Sequence, residues 1–193
     1  MGDSLIGFTG EGYTLLASTA NVARSVVVMK KREDKILPLD QFKILGASGD
    51  NGDRAHFTEF IKRNMQLYEL RLGYPLTTHG AANFTRGEIA TALRQRPYQV
   101  NMLLGGYDAD VGSSLYFLDY MGALHKQDYA TQGYAGYFTL SLLDKEWKKG
   151  LTLDQGKELL KKCIEQLRVR FVLDTSQWTI KYVDSQGVHE YQV

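Results

Sequence analysis

The residues best suited to hold a metal or move a proton near neutral pH are four histidines, His56, His79, His125 and His189. They are scattered, and no two stand at ligand spacing, so neither a zinc site nor a cysteine–histidine nucleophile pair can be drawn from them. The one cysteine, Cys163, excludes an internal disulfide and falls on an apolar helical stripe, where it reads as a small core hydrophobe. No GxSxG elbow, P-loop or GxGxxG fingerprint is present. Gly105-Gly106-Tyr107-Asp108 is glycine-rich but lacks the helix-opening context of a phosphate cradle, and reads as a strand end entering a turn. The basic run Lys30-Lys31-Arg32 is answered at once by Glu33 and Asp34, which is the pattern of a solvated turn. Taken by themselves the residues imply a fold without an active site, with no cofactor and no metal.

The elements around these residues follow from periodicity. Leu5-Ile6-Gly7-Phe8, a turn at Gly10-Glu11-Gly12 and Tyr13 to Ala17 predict a hairpin. Val26 to Met29 and Lys35-Ile36-Leu37 predict a second strand pair across the charged turn, and Phe42 to Gly49 a further strand. From Asp53 the apolar residues Phe57, Phe60, Ile61, Met65, Tyr68 and Leu72 fall at helical spacing with one buried stripe, stopped by Gly73. A second helix is expected over Thr78 to Arg94, with Ala82, Ile89 and Leu93 inward and Pro97 beyond its end. Strands over Val100 to Tyr107 and Leu115 to Met121 flank a polar loop from Asp108 to Ser114. A third helix spans Tyr137 to Trp147. The fourth opens at Thr152 with a capping box to Gln155 and carries the stripe Leu159, Leu160, Cys163, Ile164, Leu167 and Phe171. A hairpin of Trp178 to Val183 and Val188 to Val193 closes the chain.

This order is strands, two helices, strands, two helices, strands. It predicts an α+β fold in which two antiparallel sheets bury one face on each other and the other under paired helices, a four-layer αββα sandwich. The 193 residues fit one domain, 1–193. With 44% hydrophobic and 23% charged residues and a formal net charge of +1, the composition is globular and gives no footprint for nucleic acid or an anionic membrane. The start carries no secretory signal pattern, and no apolar run approaches the roughly 18 residues of a spanning helix, so a soluble intracellular protein is expected. The 12 Tyr and 8 Phe include Tyr68, Tyr74, Tyr107, Tyr129 and Tyr191 in polar surroundings, a composition that suits interfaces as well as cores.

Local wording adds a resemblance. FIKRNMQLYELRLGYPL (60–76) with AANFTRGEIATALR (81–94) is similar to the first helix pair of a proteasome β-type subunit. NMLLGGYDADVGSSLYFLDYMGAL (101–124) resembles the family's central hairpin, where a GYD turn precedes an LYxxD strand, and ATQGYAGYFTLSLLD (130–144) resembles its glycine-rich entry to the third helix. The resemblance covers essentially the whole chain and is nearest to the non-catalytic type 2 members, fourth in the ring. It implies the N-terminal-nucleophile hydrolase sandwich and a structural place in the 20S core particle, an endopeptidase of ATP/ubiquitin-dependent protein degradation. Implied with it are a seven-membered β ring, the opposing β ring and the adjacent α ring as partners, no nucleic acid or membrane, and a location in cytoplasm and nucleus.

In active members an N-terminal threonine attacks the peptide carbonyl, with its own amine as base and a lysine beside it. On this resemblance the nucleophile position matches Gly2, which has no nucleophilic side chain. The aspartate that orients the lysine matches Thr19, and the lysine persists as Lys35. An expected serine matches Tyr134, and an aspartate and serine near the end of the fourth helix match Phe171 and Asp174. A non-catalytic subunit follows. The alternative is an active threonine protease after cleavage before Thr9; against it, the family cleaves after glycine, and the cut would strip most of the first strand. The aromatic tail from Trp178 to Val193 is expected to dock on another chain and help specify the subunit's place.

Overall fold

The computed structural model describes residues 3–24, 27–171 and 177–191. The chain runs through strands β1 (Ser4–Gly10), β2 (Tyr13–Thr19), β3 (Val22–Arg24), β4 (Val27–Lys30), β5 (Ile36–Asp40) and β6 (Lys43–Gly49), then helices α1 (Asn51–Leu72) and α2 (Thr78–Ala92). Strands β7 (Val100–Asp108), β8 (Gly112–Leu118), β9 (Leu124–Gln127) and β10 (Tyr129–Gly133) follow. Helices α3 (Ala135–Glu146) and α4 (Leu153–Arg170) and strands β11 (Trp178–Asp184) and β12 (Gly187–Tyr191) complete it. One sheet has the order β10-β1-β2-β11-β12 and the other β5-β6-β7-β8-β9, all neighbours antiparallel; β3 and β4 form a separate ribbon.

The central strands are buried on both faces, which is why β2, β6 and β7 read as near-continuous apolar runs. Alternation sends Ile6, Phe8, Leu15 and Ala17 toward α3 and α4, where Leu143, Leu160, Cys163 and Leu167 meet them. Leu45, Ala47, Met102 and Leu104 face α1 and α2 and pack on Phe57, Ile61 and Ile89. Leu5, Leu16, Ile44, Leu103 and Leu115 fill the space between the sheets. The sheets approach closely because small residues alternate with these: a methyl at Gly7 would lie 2.6 Å from Leu16, and one at Gly46 2.8 Å from Leu5. The four-layer αββα sandwich is therefore the observed architecture.

The helix boundaries have local causes. Asp50 accepts from the backbone of Gly52 and Asp53 to start α1, and Gly73, at φ 82°, closes it in the left-handed region that glycine adopts freely. At α4, Thr152 Oγ1 accepts from the Gln155 amide and the Gln155 side chain accepts from the Thr152 amide, the capping box expected from the sequence. Thr152→Ala should cost about 1 kcal/mol in a urea titration, while Thr152→Ser should be near neutral. The Tyr13 hydroxyl donates to the Thr152 carbonyl and is kept in both variants, so the difference reports the cap alone.

Several expectations need correction. β4 pairs with β3, and β5 pairs with β6, so the charged turn through Lys31 and Arg32 does not join one hairpin. Arg32 holds a positive φ of 60°, and Glu33 and Asp34 turn the chain into ion pairs with other elements. Strand β8 begins at Gly112 and ends at Leu118, shortening the loop; β9, β10 and β3 lack strong alternation, so their periodicity does not predict them. On α1 the stripe is narrower than its spacing suggests, with Phe57, Ile61 and Met65 buried but Phe60 and Leu72 exposed. The final hairpin is part of its own chain's sheet. β11 pairs with β2 from Trp178 to Asp184, and Trp178, Tyr182 and Tyr191, each partly buried, pack against the α3–α4 core. Of the five tyrosines singled out for polar surroundings only Tyr74 is exposed; Tyr120, Tyr134 and Tyr137 are the other exposed ones among the described residues.

Candidate functional site

The motifs that carried the resemblance are structural staples. Asp108, the aspartate of the GYD turn, accepts the Thr78 amide at 3.0 and 3.1 Å, tying β7 to the start of α2. Gly106 faces the same threonine, whose Oγ1 would lie 2.3 Å from an added Cβ. Asp119, the aspartate of LYxxD, accepts from Met121 and Ala123 at 2.9 and 2.8 Å and so builds the β8–β9 turn. The histidines remain apart, and no cluster of three or more metal-binding side chains occurs among the described residues. Cys163 is fully buried, and desolvation, with the Glu146 charge behind it, pushes its thiol up to about 12. A thiol reagent at neutral pH should therefore label it only as fast as the protein opens; rapid labelling of folded protein would contradict this placement.

A charged constellation with buried members gathers around Lys35, at the entry to β5. Its side chain is 1% exposed. Nζ donates to Asp3 Oδ1 at 2.5 Å and to the Asn21 carbonyl at 2.7 Å. Burial pushes the ammonium below its ordinary pKa, and the Asp3 charge only partly offsets this. The second oxygen of Asp3 lies 3.5 Å from the Gly49 amide. The hydrogen-bond partners of Lys35 among the described residues are thus a carboxylate and a carbonyl, with no hydroxyl nucleophile among them.

Asp3 is clamped through its backbone. Its carbonyl accepts the Tyr134 amide at 3.3 Å, and the next residue, Ser4, pairs with Gly133 of β10. The Ser4 amide donates to Thr19 Oγ1 at 3.1 Å. Beside Lys35, Glu33 is joined to Lys30 and to Arg54 of α1, and Lys30 above all holds its carboxyl below the usual range. Asp34 pairs with Lys181 of β11, whose Nζ also donates to the Ile36 carbonyl at 2.8 Å. The segment 33–35 is therefore pinned to α1, β11 and Asp3 by three successive side chains.

The positions matched by resemblance divide into groups. Thr19 and Lys35 lie at the same end of the molecule, joined through Asp3 and Ser4. Tyr134 borders a pocket of about 280 Å³ lined also by Asp3, Ser48, Gly49, Asn101 and Tyr137. Its ring lies 5.1 Å from that of Phe171 at the end of α4. Gly2 and Asp174 lie outside the described residues. Thr9 sits near the far end of β1: its amide donates to Asp128 O, its carbonyl accepts from Trp147 Nε1, and it pairs with Thr14. Six residue steps along the strand separate it from Asp3, roughly 20 Å at about 3.3 Å each. Sequence reasoning missed Asp3, Asn21 and Gly49. Asp3 could have been found as the one acidic residue at the start of the first strand; the Asn21 carbonyl and the Gly49 amide carry no side-chain signal.

A two-sheet α+β sandwich with a buried lysine at the mouth of the strands is the frame of an N-terminal-nucleophile hydrolase fold, and the comparisons agree. The proteasome subunit family matches residues 1–183. The chain is 46% identical over 189 residues to a proteasome subunit beta type-2 of Oryza sativa subsp. japonica, covering 98% of this chain and 89% of that one. It is 43% identical over 189 residues to a proteasome subunit beta type-2 of Dictyostelium discoideum, covering 96% and 95%. A proteasome subunit beta type-4 of Saccharomyces cerevisiae is 36% identical over 190 residues, covering 97% and 96%. The chain belongs to the proteasome subunit family, and within it to the β type.

Proposed function

We propose that this chain is a non-catalytic β subunit of the 20S proteasome core particle, needed for the build of its β ring and not for its peptide hydrolysis. The observation that carries this reading is the contact between Lys35 and Asp3. Threonine-type catalysis needs a hydroxyl and a free amine beside that lysine. Here a carboxylate stands against it at 2.5 Å, offers no nucleophilic hydroxyl and neutralises the ammonium. Thr19, in place of the carboxylate expected to orient the lysine, is engaged with the Ser4 amide. Thr9 does not supply the missing group, because its own amide is a strand hydrogen bond far from Lys35.

The partners proposed are β neighbours in a seven-membered ring, the opposing β ring and the adjacent α ring. Supporting this, large apolar side chains stand exposed on the outer helical layers and the free ribbon. Leu67 and Leu70 project from α1, Tyr137 and Leu140 from α3, and Val27 and Met29 from β4. A groove of about 350 Å³ lined by Met65, Leu67, Leu72, Leu76 and Phe84 runs between α1 and α2. The proposed location is cytoplasm and nucleus, which a lone buried thiol suits.

The test is intact mass and N-terminal sequencing of the chain recovered in its native complex, combined with exposure to a threonine-directed covalent inhibitor. An N-terminus at Met1 or Gly2 and no inhibitor adduct are expected. A chain beginning at Thr9 or any other threonine, or carrying the adduct, would overturn the reading.

A further inference from the structure

Two donors converge on Asp3 from separate elements. Lys35 Nζ, from the residue just before β5, meets Oδ1 at 2.5 Å, and the Gly49 amide, from the end of β6, faces Oδ2 at 3.5 Å. Lys35 cannot turn elsewhere: its side chain is 1% exposed and Nζ is held from behind by the Asn21 carbonyl. The carboxylate stands on the open side, 11% exposed, and lines the pocket of about 280 Å³ together with Ser48, Asn101 and Tyr134. A buried ammonium and a convergent N–H are the elements of a carboxylate site, since a charge-assisted hydrogen bond to a fixed donor is stronger than one made in water.

We propose that Lys35 and the Gly49 amide form a carboxylate-binding cradle, and that Asp3 is its built-in ligand. Removing the Asp3 carboxylate while keeping its backbone clamped by Tyr134 opens the cradle to a small free monocarboxylate arriving from the pocket. This rests on the reading that an aspartate, and not a nucleophilic threonine, faces Lys35. It adds that the donors facing Asp3 can recognise a free carboxylate as well.

The experiment compares thermal unfolding of the full chain and of Asp3→Ala, Asp3→Asn and Asp3→Ala/Lys35→Met, each titrated with sodium formate against sodium chloride at equal ionic strength. Asp3→Ala should gain stability saturably in formate beyond chloride, with the folded-to-unfolded ratio rising about elevenfold at ten times the apparent Kd. The parent chain and Asp3→Asn should gain nothing beyond chloride, because their own side chains fill the cradle. The double variant should gain nothing because the ammonium is gone. If Asp3→Ala does not fold in chloride, the same comparison is read as refolding yield in formate against chloride. No formate-specific gain in Asp3→Ala, or an equal gain in Asp3→Asn or the double variant, would overturn the cradle. Those outcomes leave the N-terminal sequencing and inhibitor results standing, so the two readings fail separately.

Discussion

Asp3→Ala should be one of the most damaging single changes in the chain, lowering unfolding free energy by about 3–5 kcal/mol. The reason is not the strength of the ion pair, whose attraction is largely offset by the cost of drying both charges. It is what remains: an ammonium 1% exposed, with a carbonyl behind it and no counter-charge in front. Because Asp3 borders the pocket, water can enter in its place, which puts the expected loss toward the lower end of that range. Lys35→Met with Asp3→Leu removes both charges at similar volume and should recover most of the loss, since paired burial against hydrophobic replacement is often neutral or better. Urea titration at constant m decides it; a double variant as unstable as Asp3→Ala would mean that the charge was not the cause.

The same variant should show a distinctive pH response. The folded Lys35 pKa already lies below its ordinary value near 10.5, chiefly through burial. Losing Asp3 removes the main influence that raises it, so it falls further. A lysine with a depressed folded pKa binds fewer protons folded than unfolded, so stability rises with pH between the folded and the unfolded value. Asp3→Ala should therefore recover stability as pH rises toward 10.5, over a wider window than the parent chain. Acidification should return none of it.

Gly133→Ala is the second large effect, expected at about 2–5 kcal/mol. Gly133 has φ 69°, and an alanine held there costs about 1–2 kcal/mol. Its Cβ would also lie 2.1 Å from the Asp3 carbonyl oxygen, a backbone atom held by the Tyr134 amide and by β1–β10 pairing. Forcing that strand edge apart adds about 1–3 kcal/mol. Gly12→Ala is the control: φ is 74° and nothing stands within 4 Å of its Cβ, so only the conformational cost applies. The gap between the two variants in urea midpoint measures the contact alone. Equal losses would mean that β10 yields freely, and that Asp3 is not held by its backbone.

Much of the architecture was legible because local rules and burial pointed the same way. The Thr152–Gln155 capping box, the Gly73 stop and the Leu159-Leu160-Cys163-Leu167 stripe were readable from spacing alone, and all are present. Where a segment met its partner across the molecule, spacing was silent. Nothing within Val26 to Leu37 distinguishes β4 pairing with β3 from β4 pairing with β5, because the choice depends on where Glu33 and Asp34 find Arg54 and Lys181. Phe60 and Leu72 obey the helical period of α1 and still face outward, since the sheet below covers only a narrower stripe.

The sequence by itself determined the residue types: a lysine at 35, no threonine at 2 or 3, and glycine at 133. Types limit which chemistry is possible, and that was enough to doubt a nucleophile. Only the tertiary structure decided that Asp3 is the group facing Lys35, with Asn21 behind it and Gly49 beside it. Those contacts join residues 14 to 46 positions apart through two sheets. A charge pair of that kind depends on the direction of side chains at strand ends, set by sheet register and sheet-to-sheet spacing, and neither is written in the local order of residues.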